Sequence, residues 1–388
     1  MKIPETRYQI CTRCIYDTNV PEITFDENGV CSYCHMIDSL QSQYNTGTEK
    51  GEQKLIKIIE EIKRDGKGKK YDVAVGVSGG TDSSFMLAKA IEWGLRPLAV
   101  HYDNTWNTSI ATENIRKVTT KLKVDLYTHV VDNKESDDIF KSFFLANVPE
   151  IDGPTDIALA EILYRAASKY RLKYIFEGHS FIAEGVSPLG TAYVDGKYIK
   201  TIHDKYGSVK MKTFPNMNFI SFMKWTFFKR IKKIRPFWYI QYSKENAKEY
   251  LKNEFNWEDY GGHHLENRMT AFNHSIYFPQ KFGIDQRNNS LSASVRAGLL
   301  TREEALFQYA QPPHVEPELI SYFKKRLSLT DKMYEEGIKG ERKYFWDYKT
   351  YKKLFEKLRP FFFGMAKLNL VPMSFYLKYC FPFKSNDK

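Results

Sequence analysis

Residues 75–84, Val-Gly-Val-Ser-Gly-Gly-Thr-Asp-Ser-Ser, constrain the fold more than any other stretch. Val73, Ala74 and Val75 lead into them as a buried strand. Phe85, Met86, Leu87, Ala90 and Ile91 follow with helical spacing. A strand that turns through Gly79 and Gly80 into a helix lets backbone N–H groups approach an anion closely. The helix start adds partial positive charge at the same place. Ser78, Thr81, Ser83 and Ser84 add hydroxyls, and Asp82 can hold a cation or cap the helix. The pattern predicts phosphate binding. It is not a Walker loop, because no Gly-Lys-Ser/Thr follows. The plainer alternative is an ordinary strand-to-helix turn capped by a serine.

Strand and helix patterns alternate after residue 70. Strands are predicted at 71–77, 96–102, 124–131 and 173–178, and helices at 52–64, 83–93, 108–122 and 155–170. This order predicts an α/β fold with a doubly wound parallel sheet. Ligands of such sheets bind beyond the carboxyl ends of the strands. Three regions are expected: a zinc ribbon over 1–45, a nucleotide-binding domain over 52–315, and a basic, mostly helical region over 316–388. The 189–250 stretch interrupts the second as a basic, aromatic-rich insertion.

The ribbon rests on cysteine spacing. Cys11-x2-Cys14 and Cys31-x2-Cys34 are separated by sixteen residues, the pattern of a four-thiolate structural Zn²⁺ site. Asp26-Glu27-Asn28-Gly29 supplies the intervening hairpin turn. Two disulfides, or redox or iron–sulfur use of the same thiols, are the alternatives. Cys380 stands alone in an apolar tail, so the chain offers no cysteine nucleophile of the kind glutaminases use.

The chain has 388 residues and a net charge of +11, unevenly placed. Residues 205–235 carry nine Lys/Arg and no Asp/Glu, and residues 321–388 carry a surplus of +9. Both favour an anionic partner, or simply a solvated basic face. The aromatics of 219–239 with Lys229, Arg230, Lys232 and Lys233 read either as a membrane-surface helix or as a core helix with a basic outer face. The apolar run 361–383 is interrupted by Lys367, Asn369, Pro372 and Lys378, short of a spanning helix. No signal-peptide pattern is evident, so a cytoplasmic location is expected.

Further candidates lie at predicted strand ends. Asp103 and Asn104 end the second strand, with Trp106 either a stacking wall or a core residue. Asp156 sits at a helix start, facing phosphates or merely in a first turn. Glu177-Gly178-His179-Ser180 and Glu184 follow the fourth strand. There Gly178 admits ligand, His179 can donate to a phosphate or carbonyl, and Glu177 or Glu184 can hold magnesium. A polar cluster over 257–310 includes Tyr260, Gly262, His263, His264, Glu266, Lys281, Arg287 and Arg296. Its cations can hold phosphates. Thr301-Arg302-Glu303-Glu304 is a capping box.

The Ser-Gly-Gly-Thr-Asp-Ser turn resembles the pyrophosphate loop of the ATP pyrophosphatase superfamily. Together with the ribbon, the 103–107 strand end, the 177–185 segment, Phe282-Gly283-Ile284-Asp285-x-Arg287 and Thr301-Arg302-Glu303-Glu304-Ala305, it resembles the N-acetyl sugar amidotransferases of bacterial surface polysaccharide pathways. The likeness spans about residues 8–315. It implies conversion of an acetamido group on a nucleotide-linked sugar to an acetamidino group, with ATP cleaved to AMP and Mg²⁺ at the phosphates. It places Asp82, His179 and Glu184 in catalysis. It places Ser78 to Ser84, Asp103, Asn104, Gly178, Lys281 and Arg287 on nucleotide. It also implies a separate glutaminase subunit as ammonia source, with a cyclase-like barrel subunit as a further partner. The rival is a tRNA-modifying enzyme, since ribbon and loop co-occur in tRNA thiolases. Thiolation, however, calls for cysteines near the loop, and none lies between Cys34 and Cys380.

Overall fold

A computed structural model of the chain describes residues 8–186, 193–261 and 265–382. Gly262, His263 and His264 of the polar cluster lie outside the described residues, as does Phe383 at the end of the C-terminal apolar run.

Five parallel strands form one sheet in the order β3-β2-β1-β4-β5. They are β1 (Val73–Gly76), β2 (Pro97–Asp103), β3 (Leu126–Val130), β4 (Tyr174–Phe176) and β5 (Lys232–Ile234). Side chains alternate across each strand, which splits the core in two. Val73, Val75, Ala99, Tyr174 and Phe176 pack against helices Glu49–Gly66, Thr81–Glu92, Ser109–Leu122 and Lys244–Phe255. Ala74, Leu98, Val100, Tyr102 and Ile175 pack on the opposite face against helices Asn133–Leu145, Gly153–Lys169 and Gly196–Tyr206. The sheet is thus covered on both faces, as parallel sheets require.

Strand β5 was not legible in the sequence, because Lys232-Lys233-Ile234 has no strand pattern. It forms because β4 offers an open edge and carboxylates accept its lysines: Lys233 meets Glu177 at 2.6 Å and Lys232 meets Glu61 at 3.5 Å. The surrounding segment is not one long amphipathic helix. It is a short helix Phe219–Met223 continued by a wider turn Lys224–Phe228, then β5. Three of its aromatics, Trp225, Phe237 and Trp238, are buried.

Cys11, Cys14, Tyr16, Val20, Cys31 and Cys34 form a small separate core at the N-terminus. The expected hairpin turn is present: Phe25 bridges Cys31, and Asp26 Oδ1 accepts from the N–H groups of Asn28 and Val30. The expected capping box at Thr301 and Glu304 is also present. The region beyond residue 316 is helical. Among the described residues no helix is long and apolar enough to cross a membrane.

Candidate functional site

The chain leaves β1 toward β2 on one side, then crosses back over β1 to place β4 on the other. The carboxyl ends of β1 and β4 therefore flank the switch point where such sheets bind ligands. Their loops line a cleft of about 170 Å³ with Ser78, Gly80, Asp82, Ser83, Gly178, His179, Glu184, Lys244, Tyr260 and Glu266.

Helix Thr81–Glu92 begins at Gly80 with no side-chain cap, which leaves its first-turn N–H groups for an anion. The turn is closed by its own serines: Ser78 N–H donates to Ser83 Oγ at 3.2 Å, and Gly80 N–H to Ser78 Oγ at 3.3 Å. Gly79 has φ +82°, and a Cβ there would lie 2.1 Å from the Ala111 carbonyl, so no other residue fits. Its carbonyl accepts from Trp257 Nε1 at 3.0 Å and Asn114 Nδ2 at 3.4 Å. The turn is thus anchored from behind, while Tyr260 borders it in front at Thr81.

Asp82 accepts from Lys244 Nζ at 3.0 Å and from the Tyr242 hydroxyl. Lys244 lies 3.8 Å from Glu184 as well. Burial works against the Asp82 carboxylate, but Lys244 outweighs it, with Glu184 and Tyr242, and holds its pKa below the usual range. Glu184 goes the other way. Burial and the Asp82 charge push its pKa well up. An ionised Asp82 and a Glu184 that favours its proton, both beside one lysine, form an arrangement ready to exchange charge with a ligand.

His179 completes the cluster. Its Nδ1 accepts from Trp238 Nε1 at 3.2 Å, and its Nε2 lies 3.7 Å from Glu184. Burial, reinforced by the Arg235 guanidinium, lowers its pKa to about 4. The ring is therefore neutral near pH 7. Since indole N–H only donates, the imidazole proton resides on Nε2, toward the cleft.

Several expected contacts lie elsewhere. Glu177 is held by Lys233 and Arg235 at 2.6 and 3.0 Å, as a structural ion pair at the end of β4. Lys281 is buried and donates to Asn147 Oδ1 at 2.8 Å and the Gly340 carbonyl at 2.9 Å, tying the C-terminal helices to the core. Arg287 is turned onto Asp285 at 2.6 Å. Neither lines the cleft. Asp103 accepts from Thr105 N–H at 2.7 Å and shapes its own loop, while Asn104 Oδ1 accepts from Trp106 N–H at 3.1 Å and from Asn267 Nδ2 at 3.0 Å, tying that loop to the segment beside Glu266. Trp106 is a fully buried core residue, and Asp156 is exposed on the first turn of helix Gly153–Lys169. Conversely, Tyr242 and Lys244 were missed. They sit at a lysine-rich helix start that carries no motif, and only packing of that helix on Thr81–Glu92 brings them to Asp82.

The four cysteine sulfurs all lie within 4.8 Å of one another and are buried. Cys14 and Cys31 are 3.8 Å apart, Cys11 and Cys34 4.0 Å. Four thiolates about 2.3 Å from one ion stand about 3.8 Å apart, so the set is compatible with a single tetrahedral zinc. Arg296, expected on phosphate, instead faces these thiols and the Tyr16 ring. Arg302 Nε donates to the Cys11 and Cys14 carbonyls at 2.9 and 3.2 Å, and Tyr16 donates to Asn289 Oδ1 at 2.5 Å. Helix Arg287–Arg296, which carries Asn289, touches the cleft rim. Gly185, at φ +77°, comes so close that a Cβ would lie 2.4 Å from Asn289 Oδ1 and 3.2 Å from Arg296 Nη2.

Residues 266–359 match the family model described as LPS biosynthesis protein WbpG-like, C-terminal domain. No curated protein sequence matches the chain. Among solved structures, the NMN synthetase of Francisella tularensis is similar at 13% identity, over 73% of this chain and 93% of that one, with a TM-score of 0.32. The NH3-dependent NAD synthetase of Campylobacter jejuni subsp. jejuni is similar at 14% identity, over 74% and 96%, with a TM-score of 0.30. The U34-tRNA thiolase NcsA of Methanococcus maripaludis, with its 4Fe–4S cluster, is similar at 14% identity, over 83% and 99%, with a TM-score of 0.32.

Proposed function

We propose that this protein is an ATP-dependent, AMP-forming amidotransferase. It converts an acetamido group on a nucleotide-linked sugar to an acetamidino group in the synthesis of LPS O-antigen or a related surface glycan. The observation that carries this reading is the switch-point cleft, where an uncapped helix start faces Asp82, Lys244, Glu184 and a neutral His179. The WbpG-like match supports the glycan setting, and its first residue, Glu266, lines the same cleft.

An amide carbonyl is a poor electrophile and its oxygen a poor leaving group. The substrate amide oxygen attacks the α-phosphorus of ATP. The bond from that phosphorus to the bridging oxygen breaks, and pyrophosphate leaves onto the N–H groups of the 78–84 turn. Ammonia adds to the carbon of the adenylylated imidate, loses a proton, and AMP departs with the former amide oxygen. Lys244 exchanges a carboxylate for a phosphate oxygen. His179 Nε2–H donates to an oxygen that gains charge. Asp82, Glu184 and Glu266 are a carboxylate set suited to Mg²⁺, which would neutralise phosphate charge. The cysteines fit structural Zn²⁺ and stand apart from this chemistry.

Ammonia comes from a separate glutaminase subunit in this reading. Four of the five cysteines in the sequence cluster together, and Cys380 is buried among Phe355, Phe362 and Met365.

Mass spectrometry tests the reading. The protein is incubated with ATP, magnesium, ammonium chloride and nucleotide-linked diacetamido sugars. AMP, pyrophosphate and a sugar product in which NH replaces O are expected together. AMP formed only with bulk tRNA would move the assignment to RNA modification. AMP formed with unaltered sugar would reject the amidino product.

A further inference from the structure

Two segments far apart in sequence build one aromatic cluster outside the main cores. Phe219, Phe222 and Met223 pack with Phe355, Phe362, Met365 and Phe375. Phe222 meets Phe375 at 4.9 Å between ring centres, and Phe227 meets Phe361 at 5.8 Å. The inward rings fix the segments together. The outward residues are also apolar: Ile220 is 78% exposed, Phe228 74% and Leu368 69%. Phe361 and Leu368 lie seven positions apart along helix Arg359–Lys367 and its exit, so they share its outer face. Ile220 and Phe228, eight apart, do the same on the other segment.

The charge of this face is one-sided. Residues 219–230 contain three Lys/Arg and residues 357–382 contain four, and neither stretch contains an Asp or Glu. Lys367 lies over the Phe363 ring at 5.3 Å and Arg359 over Phe381 at 5.2 Å, cations carried at the edge of apolar surface. Exposed Ile and Leu beside Phe give nucleic acid bases little to stack on, but they suit an acyl boundary under anionic headgroups.

We propose that residues 219–230 and 359–381 together form a peripheral docking face for an anionic lipid surface. Ile220, Phe228 and Leu368 enter the headgroup boundary, and Lys229, Arg230 and Lys367 contact headgroup phosphates. The face adjoins the cleft. Arg235 donates to Ser374 Oγ at 3.1 Å on the docking side and to Glu177 at 3.0 Å on the other, two residues before His179. Docking therefore holds the rim of the cleft near that lipid surface.

Flotation of the full chain with vesicles tests this, using phosphatidylcholine alone or with about one-third phosphatidylglycerol. The protein is expected to float only with the anionic vesicles, and less so at high salt. Neutralising Lys229 and Arg230 to Gln should weaken partitioning about fivefold per cation. Phe228→Ser with Leu368→Ser should abolish flotation. Both positions are exposed, so thermal unfolding and AMP formation in solution should stay unchanged. Absence of flotation with anionic vesicles at low salt would overturn the proposal. So would equal flotation of all variants, or a self-association without flotation that the Phe228→Ser, Leu368→Ser protein loses.

Discussion

Lys244 Nζ sits 3.0 Å from Asp82 Oδ2, across 162 positions of sequence, and is the cation that holds the phosphate turn's carboxylate ionised. Lys244→Met should leave Asp82 and Glu184 without their counter-charge and, in the proposed reaction, remove a phosphate contact. The expected result is a loss of AMP formation of about 10²–10³-fold with the fold retained. Pyrophosphate release, checked beside thermal unfolding, measures it. Activity near that of the parent would place Lys244 outside the chemistry.

Trp238 fixes the tautomer of His179. Trp238→Phe keeps a ring against Phe181 and Tyr44 but removes the Nε1–H donor. The rate should fall about tenfold, less than for His179→Ala. Nitrogen NMR of the imidazole should show the Nε2–H form in the parent and a mixture in the variant. An unchanged tautomer in the variant would refute this role.

The cysteine cluster should bind one equivalent of zinc, read by metal analysis. Cys31→Ser should lose both the metal and several kcal/mol of stability, since the ligands organise a core of their own. Arg302→Ala should keep the metal but cost about 1–3 kcal/mol, because the Cys11 and Cys14 carbonyls lose their charged donor. Full metal occupancy in Cys31→Ser would rule out the four-thiolate site.

Glu150 gives a pH signature remote from the cleft. Burial pushes its carboxyl up to about 7, although Tyr193 N–H and the Tyr198 hydroxyl both donate to it at 3.1 Å. The fold thus favours the protonated form. Stability from this group is complete below the unfolded pKa and falls as pH rises through the folded one. The loss is of order 3 kcal/mol by pH 7 and above. Glu150→Gln should remove that slope, so its melting temperature should gain on the parent between about pH 5 and 7. Parallel melting curves across that range would contradict the buried, protonated carboxyl.

Local chemistry was legible where neighbours in sequence supply it. The glycine turn, the paired Cys-x2-Cys knuckles, the Asp26 hairpin and the Thr301 capping box each depend on residues within a few positions. Backbone geometry and short-range hydrogen bonds settle them before any packing. Lys281, Arg287 and Glu177 were not legible, because a charged side chain has no role until its opposite number is placed. The two cations were equally suited to a phosphate or to a protein partner, and Glu177 to magnesium or to a protein cation. The fold supplied the partner: Asn147, Asp285, and the Lys233–Arg235 pair.

The sequence by itself determined the α/β class, the glycine turn and the two Cys-x2-Cys knuckles, since periodicity and spacing act along the chain. Tertiary structure decided the rest. It set the sheet order, with its switch point between β1 and β4. It recruited Tyr242 and Lys244 to Asp82, and it joined residues 219–230 to 359–381 in one carboxylate-free apolar face. Those relations are between residues far apart in sequence, and only the packing of both sheet faces and of the separate 219–230/359–381 aromatic cluster brings such residues together.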